Sequence, residues 1–185
     1  MNTSMNQSIT HFLSALQNID WQSPDKFNFP SEMAKKWMLE NGSLSRLLAK
    51  QCQQLSVELL HNQFIPKDEL AEHERILLSD ERCLLRKVVL HGDDRAWVLG
   101  RTLIPNSSLI EQDVDLTQQG DIPLGLTVFN ADNVRRDALQ VGCVATEYGL
   151  LMARRSRLWM NHKPMLVAEL FLPEAPFYSQ ENASQ

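Results

Sequence analysis

Apolar and polar positions alternate differently in the two halves of this chain, with helical spacing near the start and strand-like runs later. Between residues 5 and 18, Ile9, Phe12, Leu13 and Leu16 recur every three or four positions, the spacing of a helix with one buried stripe. Ser31 is placed to cap a second helix over Met33, Trp37 and Met38, which Asn41-Gly42 stops. Over residues 44–61 the helical and strand periods compete, and the balance favours two strands meeting near Gln53, with Phe64-Ile65-Pro66 leaving the second.

The central stretch is plainer. R-C-L-L-R-K-V-V-L-H, then G-D-D-R, then A-W-V-L-G-R-T-L-I-P predict a β-hairpin with a short polar turn. A short helix is expected within 107–119, and proline and glycine mark a turn in I-P-L-G at 122–125. A strand follows over 139–145, then a closing hairpin of 153–160 and 164–172 turning at Asn161-His162 and stopped by Pro173. The sum is an α+β fold, a single antiparallel β-sheet with helices at the N-terminus and covering one face. With 185 residues, 43% hydrophobic, and no internal repeat, one domain over 1–178 is expected, ending in a polar, disordered tail over 179–185.

Two of the strand-like runs each carry one charge among apolar neighbours. Arg101 shares its strand face with Trp97, Leu99 and Leu103, and Glu169 shares its own with Met165, Val167 and Phe171. Removing an ion from water costs several kcal/mol, so both groups need a partner. They could pair with each other, or one strand could be a solvated edge; alternatively, both face a small pocket for an anionic, hydroxylated ligand. A second basic cluster, Arg154, Arg155, Arg157 and Lys163, is divided by alternation, with Arg155, Arg157 and Trp159 on one side and Arg154, Ser156, Leu158 and Met160 on the other. It reads either as a solvated strand face or as an attractor for a multiply anionic small molecule.

Composition removes several classes. A formal net charge of −5 argues against general nucleic-acid binding, which normally needs a basic surplus. Cys52, Cys83 and Cys143 are widely spaced without a C-x-x-C pair, and five histidines lack i, i+4 pairing, so no metal site or thiol redox centre is expected. Cys143 reads as a packed thiol, and Trp97 and Trp159 as core or rim aromatics. The N-terminus lacks the pattern of a signal peptide and no run is long enough for a transmembrane helix, which predicts a soluble, cytoplasmic protein with no stable membrane insertion. No G-x-S-x-G, P-loop, G-x-G-x-x-G or H-E-x-x-H is present.

A-W-V-L-G-R-T-L-I-P, I-P-L-G and A-R-R-S-R-L-W-M-N-H-K-P-M-L-V-A-E-L-F-L-P-E-A-P-F-Y together resemble the chorismate pyruvate-lyase family, in order and spacing, from about 84 to 178. The resemblance implies an antiparallel sheet with helices, no cofactor, a monomer, and conversion of chorismate to 4-hydroxybenzoate and pyruvate at the entrance to ubiquinone synthesis. It also implies roles. Arg101, preceded by Gly100, matches the arginine that grips the ring carboxylate, and Glu169 the carboxylate near the ring hydroxyl. Leu124 matches the leucine giving a backbone contact, and Met33, in S-E-M, a methionine of the flap helix. On this reading Arg101 and Glu169 converge on one enclosed pocket, one of the second cluster's cations takes the enolpyruvyl carboxylate, and the product is retained as an inhibitor. The alternative is a non-catalytic sensor of small aromatic acids on the same fold.

Overall fold

The computed structural model describes residues 3–110, 115–120, 122–129 and 133–179. In chain order the elements are α1 (Thr3–Gln17), α2 (Glu32–Met38), α3 (Leu44–Ala49), β1 (Leu55–Ile65), α4 (Glu72–Arg75), β2 (Cys83–Gly92) and β3 (Arg95–Pro105). They continue with α5 (Asn106–Leu109), α6 (Leu124–Val128), β4 (Val134–Thr146), β5 (Gly149–Met160), β6 (Lys163–Phe171) and α7 (Pro176–Ser179). All six strands form one antiparallel sheet in the order β1-β2-β3-β6-β5-β4, which leaves β1 and β4 at the edges.

Two hairpins close on turns whose central residues adopt left-handed backbone. Asp93 and Asp94 (φ 49° and 68°) join β2 to β3, and Asn161 and His162 (φ 52° and 65°) join β5 to β6. Two consecutive residues of positive φ match the right-handed twist of the strands they link. The Asp93 carboxylate also accepts from the Gln53 and Gln54 N–H groups at 3.0 and 2.9 Å, tying the entry of β1 to the turn. Gly92 is required for packing, since a Cβ there would lie 2.2 Å from the Trp97 ring.

Helices pack on both faces. On one, Phe12 and Leu16 of α1 together with Ile19 bury against Val89, Leu99, Leu151, Ala168 and Leu170, while Leu70 lies with Leu85 and Leu103. On the other, Trp37, Met38, Leu44 and Leu48 of α2 and α3 meet Leu90, Val98 and Phe171 at one end of the sheet. Val128 and Leu116 meet Leu84, Ile104, Leu158 and Met165 at the other. The second face is therefore covered by two separate caps with a seam between them. The C-terminal segment is pinned where Tyr178 donates to the Phe171 carbonyl and accepts from the Met152 N–H, at 2.8 and 2.7 Å.

The single antiparallel α+β sheet stands as expected, with local corrections. Residues 44–49 are helix rather than strand: Ser43 caps them by accepting from the Arg46 N–H, and Leu44 and Leu48 are buried one helical turn apart. One long edge strand, β1, replaces the two strands expected to meet near Gln53. The I-P-L-G turn leads straight into α6, with Pro123 just ahead of its first residue. The tail from 180 onward, and residues 111–114 of the helix expected within 107–119, lie outside the described residues. No described helix is long and apolar enough to cross a membrane.

Candidate active site

In the seam between the two caps lies a cavity of about 70 Å³, floored by the sheet and roofed by Leu44 and Ser45 of α3 and by Pro123, Leu124 and Phe129. Most of the wall is apolar. Among the described residues lining it, three guanidiniums, Arg86, Arg136 and Arg154, face one carboxylate, Glu169. That is a surplus of two positive charges in a mostly apolar space.

Register accounts for each position. Glu169 of β6 lies opposite Gly100 of β3 on one side and opposite Arg154 of β5 on the other, so all three share a face. Arg86 of β2 is opposite Thr102, two residues along from Gly100, and joins the same face. Gly100 keeps the floor open: a Cβ there would stand 3.2 Å from Val88 Cγ2 and extend into the cavity.

Arg154 is fully buried and makes four hydrogen bonds to described residues. Its Nε and Nη2 donate to Glu169 Oε2 and Oε1 at 3.2 and 3.4 Å, and its Nη1 donates to the Trp37 and Glu40 carbonyls at 3.3 and 2.8 Å. Trp37 lies in the last turn of α2 and Glu40 just beyond it, where the negative end of the helix dipole favours a cation. Arg86, 1% exposed, donates from Nη1 to the Gly120 carbonyl and from Nη2 to the Ile122 carbonyl, each at 3.0 Å. Burial lowers its pKa from the usual arginine value.

Arg136 reaches the cavity because β4 is bulged. Arg136 is opposite Leu158 and Val141 opposite Arg154, yet five residues separate the former from the latter on β4 against four on β5. The extra residue, near Ala138 with φ 51°, inverts the alternation and turns Arg136 onto the cavity face. Its Nε and Nη2 donate to the Asn41 and Gly42 carbonyls at 3.2 and 2.9 Å, its Nη1 bonds Ser156 Oγ, and its guanidinium stands 5.5 Å from the Phe129 ring centre. Burial, then the neighbouring Arg154, pull its pKa down to about 10, so it remains a cation at neutral pH.

Arg101 is not in this cavity. Next to Gly100 in an extended strand, it must point the opposite way, and it lies across from Ala168 rather than Glu169. Behind the sheet it forms an ion pair with Glu74 of α4, their side chains 11% and 6% exposed. The expected convergence of Arg101 and Glu169 is thus replaced by two ion pairs on opposite faces, Arg101 with Glu74 and Glu169 with Arg154. Arg155 also points backward, donating to Gln140 Oε1 at 3.0 and 2.5 Å and to His73 Nδ1 at 2.6 Å. Burial and the Arg155 charge lower the His73 pKa. Arg157 grips Asp137 at 2.8 and 2.9 Å, and Lys163 sits beyond the cavity, opposite Met160 at the β5–β6 turn. Leu124 is on the cavity wall, as the first residue of α6. Met33 is not: it packs on α2 against the apolar cap.

The family model for chorismate lyase matches residues 15–183. The chain belongs to the chorismate lyase family. A Vibrio parahaemolyticus protein named "Probable chorismate pyruvate-lyase" is 58% identical over 177 residues, covering 96% of this chain and 99% of its own. The Yersinia enterocolitica "Chorismate pyruvate-lyase" is 41% identical over 166 residues, 90% of this chain and 96% of its own. Among solved structures, a ligand-binding domain assigned to a GntR-family transcriptional regulator of Bordetella bronchiseptica aligns with TM-score 0.50 at 16% identity, over 66% of this chain and 86% of that one. PhnF from Mycobacterium smegmatis aligns with TM-score 0.50 at 12% identity, over 72% of this chain and 64% of that one. These two structures share the fold.

In this member of the family, sequence reading found Glu169, Gly100 and Leu124 on the cavity wall and missed two cations. Arg86 carries the very signal that singled out Arg101, one charge in an apolar face between Leu84 and Val88. Arg136 had no such signal, because strict alternation puts it on the same face as Gln140, away from Val141.

Proposed function

We propose that this enzyme eliminates pyruvate from chorismate in the seam cavity, giving 4-hydroxybenzoate for ubiquinone synthesis. The observation that carries the reading is the surplus of two guanidiniums over carboxylates in a mostly apolar cavity, which suits a substrate with two carboxylates, one on its ring and one on its enolpyruvyl arm. In the reaction the ring carbon to enolpyruvyl oxygen bond breaks with its electron pair going to oxygen. The neighbouring hydroxyl-bearing carbon releases its proton, the ring becomes aromatic, and enolpyruvate gains a proton to become pyruvate. The balance closes within the substrate, without an oxidant or reductant.

Catalysis then consists of holding one conformer, excluding water and stabilising charge on the departing oxygen. Arg86 takes the ring carboxylate in a bidentate contact suited to its planar fork, exchanging the Gly120 and Ile122 carbonyls for an anion. Leu124 contributes its backbone N–H, at the start of a helix where N–H groups lack intrahelical acceptors. The bare backbone of Gly100 lets the ring lie against β3. Glu169, oriented by Arg154, accepts a hydrogen bond from the ring hydroxyl. Met33 acts from the flap helix without touching the ring, and Arg101 supports the sheet from behind.

The protein works as a cytoplasmic monomer on a small molecule, without nucleic acid. Incubating the purified chain with chorismate should release 4-hydroxybenzoate and pyruvate in equal amounts, with a progress curve that slows when 4-hydroxybenzoate is added beforehand. Chorismate binding without turnover would refute the enzymatic reading and leave a sensor.

A further inference from the structure

Building on the proposed reaction, we infer that Arg136 receives the second carboxylate of the substrate, on its enolpyruvyl arm, and so separates the dianionic substrate from the monoanionic product. Of the three cavity guanidiniums, Arg154 is held by Glu169 and two helix-end carbonyls. Arg86 and Arg136 bond only neutral acceptors among the described residues. Two cations therefore await two anions, and if Arg86 takes the ring carboxylate, Arg136 is left for the other.

Their placement fits one ligand. Arg86 enters from β2 and Arg136 from β4, with β3, β6 and β5 between them. Four strand spacings put their backbones about 19 Å apart, and two long side chains reaching inward leave a gap of ring dimensions. They also lie at one level: Arg86 is in line with Thr102, Val167 and Ser156 across the sheet, and Ser156 bonds Arg136. Glu169 lies between them and two residues along β6 from that line, which places the ring hydroxyl beside the arm that leaves.

Binding is an exchange. Arg136 now donates to Asn41 and Gly42, backbone acceptors in the loop joining α2 to α3, and Asn41 is exposed, so its carbonyl can turn to water. A carboxylate is a stronger acceptor than a neutral carbonyl, and the swap favours the ligand. Arg155 and Arg157 face the other side of the sheet, and Lys163 is beyond the cavity.

The test compares Arg136→Gln and Arg136→Lys with Arg86→Gln, each measured for chorismate KM and kcat and for 4-hydroxybenzoate affinity by direct titration. Arg136→Gln should raise chorismate KM about 10- to 100-fold, the value of a hydrogen bond to a charged group. Affinity for 4-hydroxybenzoate should stay within about threefold, the lysine should recover part of the loss, and Arg86→Gln should weaken both ligands. A parallel loss of both ligands in Arg136→Gln would reduce Arg136 to a clamp on the flap and overturn the proposal; so would an unchanged chorismate KM. Should the variants not fold, the unaltered chain decides. It should bind 3-(1-carboxyvinyloxy)benzoate about 10- to 100-fold more tightly than the methyl ester of its side-arm acid, and equal affinities would overturn the proposal. If the wild type binds chorismate but does not convert it, the reaction assignment fails while the same affinity comparison still tests Arg136.

Discussion

Placing Arg101 behind the sheet makes its removal a problem of stability rather than of ligand binding. Arg101→Met strands Glu74, whose side chain is 6% exposed, and Glu74→Leu strands Arg101, 11% exposed. Breaking one side of a buried pair costs about 3–5 kcal/mol, because the survivor is left desolvated and uncompensated. For a chain of this size that lowers Tm by about 6–20 °C. Replacing both residues removes both uncompensated charges, so the double variant should fall well short of the sum of the single losses, with a coupling of about 3 kcal/mol or more. Glu74 Oε1 also accepts from the Ala71 N–H at 3.0 Å, a loss common to every Glu74 variant that drops out of the coupling term. Denaturant unfolding of the wild type, both single variants and the double variant gives the cycle, and titration with 4-hydroxybenzoate gives the ligand affinity. Strictly additive losses would show that the pair is not coupled. A well-folded Arg101→Met chain that had lost more than tenfold in affinity would return Arg101 to the ligand and overturn the arrangement of faces.

Gly100→Ala sets a methyl group against Val88 and into the cavity floor, so it should weaken 4-hydroxybenzoate binding with little change in Tm; unaltered affinity would place the ring elsewhere. Glu169→Gln retains an oxygen for the ring hydroxyl, and we expect kcat to fall about 10²- to 10⁴-fold with product affinity within threefold, whereas equal losses in both would reduce the side chain to positioning. His73, held below its ordinary pKa by burial and Arg155, takes up a proton more readily once unfolded. Its contribution to stability is therefore complete above about pH 6.5 and declines as the pH falls toward its folded value. His73→Gln should flatten Tm against pH in that window, and an identical slope in the variant would assign the dependence to other groups.

The parts of the fold that could be read from the chain are those where local pattern and tertiary position agree. The two inner hairpins have apolar strands and polar turns with residues that tolerate positive φ, and both appear where expected. The edge strands were harder. β1 mixes exposed and half-buried positions, and β4 opens with two arginines and an aspartate and carries a bulge, so neither alternates cleanly. Residues 44–49 form a helix too short for its period to outweigh the strand-rich stretch after it, and only the Ser43 cap distinguishes it. In the site, the charge-among-apolar-neighbours criterion picked out real buried ions in Arg101 and Glu169 but could not tell one face of the sheet from the other, since that depends on register between distant strands.

The additional residue in β4 has a reach beyond geometry. Taking out Ala138 would remove the bulge and leave four steps from Arg136 to Val141 on β4, matching the four from Leu158 to Arg154 on β5, so Arg136 would stay opposite Leu158 on the cavity face. A change of one codon in length there, with no altered side chain elsewhere, would therefore straighten an edge strand and leave the cavity cation in place. Recognition of a doubly charged guest in this scaffold thus rests on the arginine itself rather than on the bulge beside it, and a lineage could shed the bulge and still keep its lyase chemistry.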